Sequence, residues 1–179
     1  MISAYANVKK NLKALDKLLE NNAKLSKHGI YVGIPSENNY VTTASAGSDD
    51  ARNKRKFGNA DIGYINEFGS TANNIPARPF LNPSITKAAP AISKILSKAI
   101  NIENMTEAMK YSDMAGLYAV SQVRLWIRDQ IGFVPLKEAT IKARQSKRKY
   151  TTAGDKALLD TGSLNQSITY VIRNDNGHA

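Results

Sequence analysis

Cysteine is absent from this 179-residue chain, which excludes disulfides and any reaction through a thiolate while leaving the redox compartment open. Histidine is scarce as well. The two present, His28 and His178, lie near opposite ends of the chain and lack the partners that a zinc centre or a nucleophile–histidine pair requires. Aromatic residues make up only 7% of a chain that is 42% hydrophobic, so Leu, Ile, Val and Ala carry the apolar content. That balance suits helices packed on a modest sheet better than a sandwich of aromatic strands. No apolar run reaches the length of a bilayer span. Met1 to Asn7 passes into a lysine-rich helical pattern instead of an export signal, so the expectation is a soluble protein. Acidic residues are outnumbered: 15 Asp and Glu stand against 25 Lys and Arg, a formal charge of +10.

The positive excess raises the local concentration of anions, nucleic acid among them. Its distribution is uneven. One run contains Arg52, Lys54, Arg55 and Lys56; a second contains Lys142, Arg144, Lys147, Arg148 and Lys149. Both lie among few aliphatic residues and read as solvated loops facing DNA or a partner protein, and neither has the interleaved aromatics of a base-stacking platform.

A chain of this length supports one core, so a single α+β domain over residues 1–179 is expected, with long polar loops at about 36–59 and 142–156. Residues 4–27 place Val8, Leu12, Leu15 and Leu19 at helical spacing, which predicts an amphipathic helix burying that stripe. Gly29 is expected at its C-cap, with His28 favouring the helix end, and Ile30 to Ile34 as a short strand stopped by Pro35. Asp61 to Gly69 predicts a short helix with Ile62, Ile65 and Phe68 inward and Gly69 ending it. Pro76 and Pro79 make Ile75 to Leu81 a rigid, extended strap. A helix from Asn82 follows, which Pro90 should kink or split, and then a long helix from near Asn104 to Gly132. The inner stripe expected for that long helix is Met105, Ala108, Met109, Leu117, Val120, Val123, Ile127 and Ile131. Lys137 to Arg144 adds a helical turn, and Ser167 to Ile172 is a closing strand. The sum is a small, mostly antiparallel sheet packed against two or three helices, one of them long.

Leu158-Leu159-Asp160-Thr161-Gly162 matches the local signature of aspartic peptidases, where two aspartates share a proton to activate water. The seventeen residues after Gly162 are too few for the remaining strands of such a half-domain. A structural turn is therefore preferred, with Asp160 capping a short helix through the amides of Thr161 to Ser163 and Gly162 relaxing the bend. No phosphate-cradling glycine loop is present, and no catalytic, cofactor or metal residues are assigned.

Several blocks together resemble the small head-to-tail connector and tail-completion proteins of tailed bacteriophages, also described as minor tail or virion morphogenesis proteins. They are Tyr31-Val32-Gly33-Ile34, Ile62 to Gly69, Ile75 to Leu81, the weaker Phe133 to Ile141, and Leu159 to Tyr170. The resemblance implies a structural virion protein without enzymatic activity or cofactor, a subunit that closes into a homo-oligomeric ring at the neck or the completing tail. Its implied neighbours are portal-side, neck or tail-tube proteins, with non-specific contact to packaged DNA and none to membrane. The strap residues Ile75, Pro76, Arg78, Pro79 and Phe80 are the candidate docking surface, with a tight turn at the edge of the core as the equal alternative. A basic nucleic-acid-binding accessory protein of phage or prophage origin is the second reading.

Overall fold

The computed structural model of the chain describes residues 2–35, 58–146 and 154–174, with side chains from Lys9 onward. The basic run Arg52, Lys54, Arg55 and Lys56, most of the expected loop at 36–59, and Lys147, Arg148 and Lys149 lie outside the described residues. The described chain is α+β and mostly helical. It runs α1 (Ile2–Leu25), β1 (His28–Gly33), α2 (Asn59–Phe68), α3 (Leu81–Ser97), α4 (Met105–Arg128), α5 (Glu138–Ser146), α6 (Ser163–Ser167) and β2 (Thr169–Asn174). β1 and β2 pair as a two-stranded antiparallel sheet.

Two compact units are built from interleaved segments. The first takes residues 1–31, 88–119 and 170–179, and the second takes residues 32–87 and 120–169. Their cores differ in kind. Among the described residues of the first unit, the buried apolar ones are all alanines: Ala88, Ala99, Ala108, Ala115 and Ala119. Small side chains let helix backbones approach closely, so packing there rests on fit more than on volume. The second unit buries larger groups, Phe80, Val120, Val123, Ile127, Leu164 and Ile168, with Val123, Ile127 and Ile168 fully enclosed.

α1 departs from the expected burial. It carries two apolar faces, and the one turned inward is Ala14, Leu18, Asn21 and Leu25, of which Asn21 is buried and donates to the carbonyls of Ile102 and Glu103. The more hydrophobic stripe stands in solvent, with Leu12, Leu15 and Leu19 exposed at 55%, 52% and 59%. Periodicity singled out the leucine stripe alone and passed over the inward face, because that face is interrupted by the polar Asn21, which looks like a surface position. The helix ends before Gly29, which lies in β1 and makes no C-cap. The His28 Nδ1 atom meets the Lys24 carbonyl at 2.8 Å, so the ring does sit at the helix end.

α3 runs without a break from Leu81 through Pro90 to Ser97. Proline removes one backbone donor there, yet its ring lies on the exposed side and the helix is not split. α4 opens with the Asn104 carboxamide oxygen accepting from the Thr106 amide at 2.9 Å. Its buried arc is Ala108, Ser112, Ala115, Ala119, Val120, Val123 and Ile127, and Leu117 falls outside it at 60% exposure. Ile131, past the helix end, is also exposed. Ala108 was the one small member of the arc in the expected stripe; Ser112, Ala115 and Ala119 were missed because alanine and serine carry little periodic signal. Phe68, expected inward, is 68% exposed. Residues 142–146, expected as the start of a polar loop, belong to α5, whose first turn is closed by the Lys137 carbonyl accepting from Thr140 and Ile141.

Candidate docking site

The second unit gathers the motif residues into one clasp. Glu67, near the end of α2, accepts three backbone amides with one carboxylate: Phe80 at 2.7 Å, and Leu81 and Asn82 at 2.9 Å each. These are donors at the start of α3 that have no partner within their own helix, and a carboxylate there also complements the helix dipole. The end of one helix thus caps the start of another across thirteen intervening positions of chain. The Asn66 carbonyl accepts the Arg78 amide at 2.7 Å, and the Asn66 side chain donates back to the Ile62 carbonyl at 2.7 Å.

Gly69 makes the clasp possible. Its φ is +76°, and a Cβ at this position would stand 2.9 Å from the Ala77 nitrogen and 3.0 Å from the Ile75 carbonyl oxygen. No side chain fits there, because backbone is the obstacle. Ser70 and Ile75 then exchange both backbone hydrogen bonds, at 2.9 Å each, and close the intervening turn.

The strap sorts itself by exposure. Arg78 and Phe80 are buried, Ile75 and Pro76 are partly covered, and Pro79 is exposed. Arg78 donates from Nε to the Val134 carbonyl at 2.9 Å and from Nη2 to the Pro135 carbonyl at 3.4 Å. Burial, and secondarily the nearby Arg144 charge, lower its pKa from the ordinary guanidinium value. Two of the five candidate docking residues are therefore committed inward, and Arg78 holds the Phe133 to Leu136 turn against the clasp.

Beside the clasp lies an apolar groove of about 490 Å³. Ile34, Gly63, Phe80, Ile85 and Ile168 form much of its wall, and Tyr64 and Phe68 of α2 stand at its mouth. These two rings lie 4.9 Å apart, tilted by 50°, and are 67% and 68% exposed. Ile34 packs closely on Gly63, where a Cβ would stand 2.8 Å from its Cδ1 atom. The Glu67 carboxylate also borders the groove, but three amides already occupy it. The arrangement can hold an apolar or aromatic side chain from outside. Sequence reasoning passed over the Tyr64–Phe68 pair; the i, i+4 aromatic spacing on one short helix was the available signal.

Of the basic candidates, Lys142 is exposed on α5. Arg144 is tied down: Nη1 donates to the Lys156 carbonyl at 2.8 Å, and Nε stands 3.6 Å from the Asp160 carboxylate. In the Asp160-Thr161-Gly162 turn, the Ser163 amide donates to the Thr161 hydroxyl at 3.3 Å, and Gly162 adopts the left-handed conformation at φ +78°. The Ser163 amide thus turns to Thr161, and Asp160 faces Arg144. Ser163 also exchanges hydrogen bonds with the buried Asn59 side chain at 2.9 and 3.3 Å, anchoring the turn to the start of α2. Among the described residues, no group of three His, Cys, Asp or Glu side chains is placed to hold a metal ion, and no helix is long and apolar enough to cross a membrane.

No family model matches the chain, and no solved structure matches it. A stretch of 44 residues is 43% identical to an uncharacterised protein of Methanocaldococcus jannaschii. The match covers 25% of this chain and 33% of that protein, so the chain spans about a third of the length of this relative.

Proposed function

We propose that the chain is a structural protein of a tailed bacteriophage particle, a ring-forming subunit at the head–tail neck or in tail completion. It works by contact with neighbours and not by catalysis. The observation that supports this reading most is the groove: an apolar cleft with two solvent-exposed aromatic rings, carried on a clasp braced by Glu67, Gly69 and Arg78. Exposed rings on a rigid mount are the usual energetic anchors of protein interfaces. The same residues carry the resemblance to connector and tail-completion proteins. In this reading the neighbours are further copies of the chain and the adjoining portal-side, neck or tail-tube proteins, and the protein resides in the virion. Static and dynamic light scattering followed by electron microscopy tests the proposal. Rings, and the protein's presence in purified particles, are expected; a strict monomer missing from particles would overturn it.

The charge of +10 favours a second reading, a nucleic-acid-binding accessory protein. Phosphate contacts release counterions, so duplex affinity should fall steeply between low and moderate salt. Absence of binding at low salt removes that reading.

A further inference from the structure

The Leu12, Leu15 and Leu19 face of α1 stands exposed, and its sequence register says what covers it. Leu12, Leu15 and Leu19 are spaced three and four apart, alternating a and d positions of a heptad with Leu12 at a. The 24-residue helix is already held in place by its opposite side, where Asn21 is buried against the carbonyls of Ile102 and Glu103. A second helix laid on the leucine seam therefore meets a preformed surface and bears no cost of nucleating the helix.

We propose that two copies of this chain associate through α1, antiparallel, with Leu12 of each copy packed against Leu15 of the other. The flanking charges select this arrangement. In the same register Lys9 and Asp16 hold successive e positions, and an antiparallel pair centred between residues 12 and 15 sets Lys9 of each copy beside Asp16 of the other. Both are exposed and available for a contact made only on association. Shifting the pair by one step, so that Leu15 meets Leu19, places Asp16 opposite Asp16 and repels. A parallel pair sets Asp16 beside the uncharged Asn11 and gains no ion pair. Lys10, Lys13, Lys17 and Lys24 fall at outer b and f positions, away from the seam.

This contact is isologous, the same patch on both copies, and so differs from the head-to-tail contact that closes a ring. It stands independently of the virion reading. The full chain as purified is tested by sedimentation equilibrium. The wild type is expected to dimerise reversibly, and Leu15→Asp to remain monomeric with an unchanged circular dichroism spectrum, since the residue is exposed. Asp16→Lys weakens the dimer roughly tenfold through the loss of two rim ion pairs. The double variant Lys9→Asp with Asp16→Lys restores it. The register has its own readout, because the chain has no cysteine of its own. A mixture of Leu12→Cys and Leu15→Cys chains should form disulfide-linked dimers faster than either variant alone. A monomeric wild type, a dimer indifferent to Leu15→Asp, failure of the double variant to restore association, or faster linking of Leu12→Cys with itself would each overturn the proposal.

Discussion

At the residue scale the most telling position is Gly116, in the middle of α4. A Cβ built there would stand 2.3 Å from the Tyr170 ring, closer than any real carbon contact. Glycine is otherwise a poor choice inside a helix, costing about 1 kcal/mol against alanine. Its presence is explained by the ring lying flat on the helix backbone. Gly116→Ala should therefore destabilise by about 1–3 kcal/mol despite its better propensity, which urea unfolding would reveal. A stabilised variant would show that the ring swings aside freely. Tyr170 itself donates its hydroxyl to the Asp113 carboxylate at 3.1 Å. Burial first, and then the hydrogen bond and charge of Asp113, raise the phenol's pKa above its ordinary value of 10.0. The protonated phenol is thus favoured by the fold. Its contribution is complete below the unfolded-state pKa and is lost as pH rises through the higher folded-state value. Tyr170→Phe should accordingly flatten the alkaline decline in melting temperature above about pH 10. Equal alkaline slopes in the two proteins would refute the linkage.

Elements in this protein are joined less by regular ladders than by single side chains that satisfy helix ends. Glu67 is the clearest case, since three amides at the start of α3 depend on one carboxylate from α2. Glu67→Ala leaves those donors without an acceptor, and a loss of about 2–4 kcal/mol is expected in denaturant titration. Glu67→Gln should recover only part of it, because the amide offers one acceptor oxygen and turns donors towards donors. This scale also shows what the sequence made legible. Proline and glycine punctuation located α2, the strap and the start of α3 to within a residue or two, because those residues act on their own backbone. Exposure was harder to read. Leu12, Leu15 and Leu19 of α1 and Phe68 of α2 have the right period for a core and yet stand outside it, since period reports which residues share a face and not which face is covered. The hydrogen bonds of Glu67, Arg78 and Arg144 were illegible for a different reason: each joins a side chain to backbone atoms, whose identity no sequence letter records.

For the whole molecule, stability and interaction fall on separable sets of residues, and that separation can be measured. Ile168 lines the same groove as Tyr64 and Phe68, but it is fully buried while the two rings stand mostly in water. Truncating Ile168 to alanine removes enclosed volume and should cost about 2–4 kcal/mol, which would impair assembly only by lowering the amount of folded protein. The double variant Tyr64→Ala with Phe68→Ala removes rings that the isolated fold hardly uses, so its stability should stay within about 0.5 kcal/mol per site of the wild type. If the groove receives a side chain from a neighbour, this second variant should lose ring formation and incorporation into particles at full solubility and an unchanged melting temperature. Were the double variant to assemble like the wild type, the groove would be an accident of packing around Gly63, and the anchoring contact would have to lie on another face. The ordering of the two variants is what discriminates: the less stable one should assemble better once concentrations of folded protein are matched, because binding follows the exposed rings and folding follows the buried ones.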